Sequence, residues 1–329
     1  MFDNVTPHHM LPVALPLTIC SCFILAIGFT VFIFLTGDRG KRVKKTGWLQ
    51  HTSRTKLAVL FMIMLIIVLG IWLGLSSYRS AVYNSSLESA KTHFVVTQYG
   101  IMPQEKVDQM LVELEHAWQQ LKDQVAEPQS SSTIQVHLYA DIEEYRKYTG
   151  APSWSGGEMK FTIEGPELDL LIEQDGTQSN NELITLNAVH EMTHVVTYMI
   201  VGPQQMETIP RWFNEGLANY EMVKGKWYDI DKVFSRDSLR YFVWRNWEYI
   251  TSNQVLLSYI PNDSSSAMEV DTFYNSSFEL VRFLVNNYGE ESLFNILRKV
   301  GHGEDFRQAF IITTGEDYDH AYAEWLGSF

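Results

Sequence analysis

The chain has 329 residues, a formal net charge of −14 at pH 7 and two cysteines. Beyond residue 75 the balance is 18 Lys and Arg against 37 Asp and Glu, a surface that repels nucleic acid and anionic headgroups. Both cysteines, Cys20 and Cys22, fall in the first uncharged stretch, which leaves the rest of the chain with neither a disulfide nor a thiol nucleophile.

In chain order, Leu11 to Leu35 carries no charge over 25 residues and Leu57 to Leu75 none over 19. Each is long enough to cross roughly 30 Å of hydrocarbon as a helix. Two transmembrane helices are therefore predicted, with Pro12 and Pro16 at the entry to the first. Residues 1–10 hold no Lys or Arg, so the basic start of a cleaved signal peptide is missing. Between the spans, Arg39, Lys41, Arg42, Lys44, Lys45, Arg54 and Lys56 crowd into residues 37–56, which puts that loop on the cytoplasmic side. Residues 1–80 then form a plasma-membrane anchor in contact with the lipid bilayer. Residues 81–329 form an extracytoplasmic domain with room for one large core or two lobes sharing a cleft.

Thr92 to Gln98 is predicted as a strand, and Val107, Met110, Leu111, Leu114, Trp118, Leu121 and Val125 give Pro103 to Val125 helical spacing. After a loop at Pro128 to Ser132, Thr133 to Tyr139 alternates as a second strand and Asp141 caps a short helix through Tyr148. Met159 to Ile163 and Leu168 to Ile172 form a hairpin around Gly165-Pro166. From there the pattern is helical: Asn180 or Asn181 to about Ile200, Pro210 to Val223, Ser235 to Tyr249, Thr272 to Tyr288, Glu290 to Val300, and two short helices to the end.

The third-quarter helix carries His190-Glu191-Met192-Thr193-His194. Positions i and i+4 share a helix face, so His190 and His194 can direct imidazole nitrogens at one ion with Glu191 beside them. The alternative is a pair of surface histidines on an amphipathic helix. Chance would supply about 0.02 such pentads in a chain of this composition, which favours the metal.

A second segment, Trp212-Phe213-Asn214-Glu215-Gly216-Leu217-Ala218, follows at a helix start. With the pentad, this segment and Tyr274 to Ser277, the chain from about Thr92 onward resembles the gluzincin-type Peptidase MA family, with Phe213 in place of the usual leucine. The resemblance implies an α+β, two-lobe zincin fold behind the membrane anchor. It implies one Zn2+ held by His190, His194 and Glu215, and Glu191 as general base; three protein ligands leave a position for water. Related gluzincins take an oxyanion donor from the helical lobe, and Tyr274 is the candidate here, its alternative role being that of a core aromatic beside Phe278, Val281 and Val285. Thermolysin-like relatives carry a carboxylate four residues after the third ligand; this chain has Asn219, an acceptor without charge for a ligating imidazole.

The function implied is hydrolysis of peptide bonds outside the cytoplasmic membrane, on a peptide or protein substrate laid along the edge strand Gly157 to Ile163. Trp154, Trp212, Trp227, Trp244 and Trp247 either wall that cleft or belong to core and membrane-facing surface. The reading from another class is a peptidase-derived sensor or peptide-binding module that keeps the zinc site with little turnover. Intact Glu191 favours the enzyme. An intramembrane protease conflicts with the polar residues along Asn180 to Ile200.

Overall fold

The computed structural model describes residues 47–125, 133–152, 155–162, 165–172, 179–224, 236–245, 261–262 and 264–328. The expected first span, both cysteines, residues 37–46 of the basic loop and the Pro128 to Ser132 loop lie outside these. The chain divides into two units, residues 1–78 and 79–329.

The described part of the first unit belongs to one helix, α1 (Gly47–His93), 47 residues long. Residues 47–56, expected as loop, are helical, because no proline interrupts this stretch and nothing else in it ends a helix. From Met62 to His93 the helix is long and apolar enough to cross a membrane, its most apolar 18-residue window having a mean hydropathy of 1.8.

In the second unit α1 also absorbs Thr92 and His93, which were expected to open a strand. Its last turns are tied down by buried Glu115: His93 Nδ1 lies 2.7 Å from one carboxylate oxygen and Ser89 donates to the other at 2.7 Å. Strand β1 (Phe94–Tyr99) begins directly afterwards. Helix α2 (Gln104–Leu121) leads to β2 (Ile134–Tyr139), and the short α3 (Ile142–Thr149) is capped as expected by Asp141, which accepts the Glu144 N–H. Strands β3 (Gly157–Thr162) and β4 (Gly165–Leu171) form the expected hairpin. Gly165 and Pro166 belong to β4 and not to its turn. Pro166 pairs only with Phe161, one residue before β4 gains β2 as a neighbour at Glu167, a place where a missing N–H is tolerated.

The sheet order is β1-β2-β4-β3, parallel except for the hairpin. One face, through Val136, Leu138, Leu168 and Leu170, joins the main core with α2 and with α4 (Ser179–Val201). The other face carries Tyr139 and Leu171 against Tyr145 and Ala151, which come from α3 and just beyond it. The edge strand β3 is thereby held beside α4.

The C-terminal part is helical: α5 (Arg211–Val223), α6 (Arg236–Arg245), α7 (Ala267–Tyr288), α8 (Glu290–Gly301), α9 (Phe306–Thr314) and α10 (Tyr318–Gly327). Helix α7 begins five residues before the expected Thr272, at a capping box in which Ser266 and Glu269 satisfy each other's backbone N–H. Its apolar stripe begins only at Val270 and Phe273, so periodicity alone starts the helix late.

One buried carboxylate in this half is poorly compensated. Glu221, on α5, accepts from Gln120 of α2 at 3.2 Å and lies 3.5 Å from Lys224, but Lys224 pairs more closely with Glu290 and the Glu221 Oε1 has no partner. Burial pushes Glu221 from 4.5 up to about 7, with the Glu290 charge adding to the rise and Lys224 opposing it. An acid whose pKa is raised on folding costs stability as pH climbs from its unfolded to its folded value, here between about 4.5 and 7. Glu221→Gln should remove that cost. By pH 8 it should stabilise the fold by on the order of 2 to 3 kcal/mol relative to its effect at pH 4. Denaturant unfolding at the two pH values checks this, and a pH-independent effect of the substitution would refute it.

Candidate active site

Helix α4 places His190, Glu191 and His194 on adjoining turns, and Glu191 and His194 are buried. Their partner comes from α5, which packs on α4 and brings in Glu215. The His190 and His194 Nε2 atoms are 3.2 Å apart, and Glu215 Oε2 lies 3.3 Å from the first and 3.5 Å from the second. A tetrahedral ion with ligands at about 2.0 to 2.1 Å spaces those ligands about 3.3 Å apart. The three donor atoms therefore already have the separations a first-row metal requires. Two ring nitrogens and one carboxylate are also the donor set such an ion favours.

The electrostatics fit the same set. Burial works against a charged His194, yet the hydrogen bond and charge of Glu215 outweigh it and hold the ring at about 9. Burial also opposes ionisation of Glu215, and the two imidazoles overcome it, keeping that carboxylate well below its usual range. Glu191 is driven the other way: burial raises it, the histidines oppose and Glu215 adds to the rise.

Asn214 lies against His194, with its Oδ1 and the ring Nδ1 both buried and short of ideal hydrogen-bond geometry. Asn219, expected to support a ligand, is buried with an unpartnered amide nitrogen and makes no hydrogen bond to either histidine among the described residues.

Above α4 runs the edge strand. A Cβ placed on Gly157 would stand 2.6 Å from Glu191 Oε1, so β3 passes directly over the buried carboxylate and only a residue without a side chain leaves it in place. Opposite, α7 supplies Tyr274. Its ring packs against the core cluster, and the charges of Glu215, Arg211 and Glu191 act on its phenol. Burial keeps that phenol protonated well above its ordinary range, with the Glu215 charge reinforcing the effect and Arg211 opposing it. The ring thus packs as a core aromatic.

Arg211 was not singled out from sequence. It lies one turn before Glu215 on α5, its Nε 3.5 Å from Glu215 Oε1. The signal was the i, i+4 spacing, which on a helix brings the two onto one face. Trp212 is buried against Phe213, Phe306 and Tyr318 and belongs to the core, whereas Trp244 is exposed on α6. Trp154, Trp227 and Trp247 lie outside the described residues.

A sheet edge over a helix bearing two histidines and a carboxylate, completed by an acidic residue from the next helix, defines a metallopeptidase-like domain. The chain belongs to the Peptidase MA superfamily, whose family model matches residues 119–328. The match begins later than Thr92, from which the resemblance was read, and leaves β1 and most of α2 outside it. No curated protein matches the chain.

The position of Tyr274 depends on how closely α5 and α7 approach. A Cβ on Gly216 would stand 2.3 Å from the backbone oxygen of Ser277. Alanine at 216 gains about 1 kcal/mol of helix propensity, but a clash with backbone cannot be relieved by a rotamer and overpacking costs about 1 to 3 kcal/mol. With a backbone clash at the upper end of that range, Gly216→Ala should destabilise the fold by about 2 kcal/mol net in denaturant unfolding. A variant as stable as wild type would mean that the helices do not approach this closely.

Proposed function

We propose that the chain is a membrane-anchored, zinc-dependent peptidase that hydrolyses peptide bonds outside the cytoplasmic membrane. The observation that carries this reading is the convergence of His190, His194 and Glu215 at ligand spacing, with Glu191 on the same helix under the edge of β3. His190, His194 and Glu215 would hold the ion. When bound, zinc lowers the pKa of a water molecule and offers positive charge opposite the scissile carbonyl.

The remaining work falls to the protein's own groups. Glu191 accepts a proton from the attacking water and delivers it to the leaving nitrogen as the C–N bond breaks, and its raised pKa suits a group that must both take and give. The Tyr274 hydroxyl, kept protonated, donates to the carbonyl oxygen as negative charge develops there. The substrate backbone pairs with the outer edge of β3, whose other edge is occupied by β4.

Anchoring is supported by the apolar run in Met62 to His93 and by the uncharged Leu11 to Leu35 before it. The seven basic residues of 37–56 set that segment in the cytoplasm and both flanking regions outside. The bilayer and a peptide or protein substrate are the partners proposed. The acidic surface favours neither nucleic acid nor anionic lipid.

Metal analysis and a peptide-library assay on the full-length protein test the chemistry. Wild type should bind one zinc per chain and Glu215→Ala should lose most of it. Glu191→Gln should keep the zinc while turnover falls by about 10² to 10⁴. If wild type and Glu191→Gln both bind zinc and peptide without hydrolysis, the chain is a binding module instead.

Topology is tested separately. Protease added to intact cells or spheroplasts should digest residues 81–329 and spare residues 37–56. A protected C-terminal domain would reverse the orientation.

A further inference from the structure

We propose that Ser155 and Tyr145 are positioning residues for Glu191, acting through the carbonyl of Gly157: a chain of two hydroxyls holds the first residue of the edge strand in place over the buried carboxylate. The step from that placement to turnover rests on the peptidase reading; the placement itself does not.

The register of the hairpin leaves Gly157 in need of a separate hold. Gly157 stands opposite Leu170, Glu158 opposite Asp169 and Met159 opposite Leu168. The Leu171 N–H donates to the Gly156 carbonyl at 3.0 Å, so Gly156 and Leu171 face each other as a hydrogen-bonded pair. In an antiparallel ladder such pairs alternate with pairs that exchange no bond, and Gly157 with Leu170 is one of the latter. The Gly157 N–H and C=O are therefore not held by β4. Both point to the outer edge, beyond which the described residues supply no further strand. Residues directly opposite each other share a face, and Leu170 belongs to the main core that includes α4. The bare side of Gly157 is thus turned to α4, where a Cβ would stand 2.6 Å from Glu191 Oε1 and 3.0 Å from its Cδ and Cγ.

The hold comes from the far face of the sheet. Ser155 Oγ donates to the Gly157 carbonyl at 2.8 Å and lies 3.0 Å from the Tyr145 hydroxyl. A serine hydroxyl has one proton to give. With that proton spent on Gly157, Tyr145 must be the donor in the second bond. Tyr145 is 0% exposed on α3, enclosed with Tyr139 and Ala151, so the chain starts at a fixed side chain and ends at the open edge of β3. The serine is tethered as well, its backbone N–H donating to the Pro152 carbonyl at 3.1 Å. Further along the strand, Lys160 is tied to buried Asp169 at 2.7 Å. Strand β3 is thereby pinned at two points, and the first bears on the residue that covers Glu191. Removing the serine hydroxyl frees the Gly157 carbonyl and leaves the buried Tyr145 proton without its acceptor, whereas removing the tyrosine hydroxyl loosens only the serine.

The test uses the full-length protein in detergent with Ser155→Ala, Ser155→Thr, Tyr145→Phe and the Tyr145→Phe/Ser155→Ala double variant. The first readout needs neither metal nor substrate: backbone hydrogen exchange at Leu171, whose N–H is bonded to Gly156. Ser155→Ala and Tyr145→Phe should each speed it by roughly two- to tenfold, in line with one lost hydrogen bond. Ser155→Thr keeps a hydroxyl and should keep the slow rate. The double variant should exchange no faster than Ser155→Ala, because the tyrosine acts only through the serine. The second readout is the unfolding transition of the metal-free protein. Gly157→Ala should lower Tm by about 2 to 4 °C, and by clearly less beside Glu191→Ala, where no carboxylate is left to displace. The third is peptide turnover by the zinc-loaded protein. Ser155→Ala should lower kcat by on the order of tenfold or more with the zinc content unchanged, and Ser155→Thr should recover it. Unchanged exchange at Leu171 in Ser155→Ala, effects that multiply in the double variant, equal Gly157→Ala shifts with and without Glu191, or a wild-type kcat from Ser155→Ala would each overturn the proposal. If the wild type itself cleaves nothing, the peptidase reading falls, and the first two readouts still decide whether the hydroxyl chain holds Gly157 over Glu191.

Discussion

A carboxylate buried between two helices has to be compensated, and the helical half of this protein is arranged around one such group. Glu215 is 9% exposed, and an ionised carboxylate at that depth is tolerated only with partners close at hand. His190 and His194 approach it from α4 and Arg211 from its own helix. These three contacts dictate that α5 cross α4 at the level of the pentad. Removing the partners would leave a bare buried charge, which costs far more than the ion pairs contribute net. The same requirement keeps Glu215 ionised and Glu191, one residue from His190, shifted in the opposite direction. Two carboxylates a few residues from the same imidazoles thus take different protonation behaviour from their surroundings alone.

Placing those groups depends on three glycines at which backbones come close. Gly157 lets β3 pass over Glu191, Gly216 lets α7 reach α5, and Gly301 lets α8 lie against the backbone of Ile200 at the end of α4. At each, a Cβ would stand within 2.6 Å of a neighbouring atom. At 216 and 301 that atom is a backbone oxygen, so the helix would have to move as a body; at 157 it is the flexible end of Glu191, so the strand could stay and the carboxylate would be displaced. Glycine is thus used here for clearance, since none of the three has a positive φ. Side-chain chemistry and helix packing are coupled: the residue after the buried carboxylate is the one that sets how far Tyr274 stands from it.

What was legible in the sequence was whatever a single element's periodicity expresses. The pentad helix, the hairpin and the Asp141 cap follow from local spacing, and all are found, whereas the edge position of Gly157 to Ile163 was expected from the resemblance. Glu215 was legible only through the resemblance to a family, because no periodicity joins residues 194 and 215. Arg211 was not read, and Asn214 and Gly216 were named only as part of the segment that carries the resemblance, because what they do arises from meeting α4 and α7, of which sequence spacing within α5 says nothing. The polar stretch from Ser76 to Lys91 carried no clear apolar pattern, yet it is helical, since nothing breaks α1 and Glu115 anchors its end. Where a tertiary partner supplies the reason for a local structure, the local sequence is silent about it.

The contrast with the other clusters of metal-ligating residues sharpens the choice of site. His137, Glu167 and Asp169 also bring ligand atoms within 4.8 Å of one another, on the α3 side of the sheet. There the Lys160 ammonium lies 2.7 Å from Asp169 Oδ2, Tyr139 donates to Oδ1 at 2.7 Å, and His137 Nδ1 lies 2.8 Å from Glu167. That cluster holds its own cation, and an ion entering it would have to expel a paired lysine from a nearly inaccessible carboxylate. Glu316 lies just before α10, and His320 and Glu324 stand on the outer face of that helix, where water screens them. At His190, His194 and Glu215 the nearest fixed cation, Arg211, engages the carboxylate oxygen that points away, and Oε2 is left between two ring nitrogens. Among the three groups, this one combines burial with donor atoms that face one another and have no lysine or arginine between them.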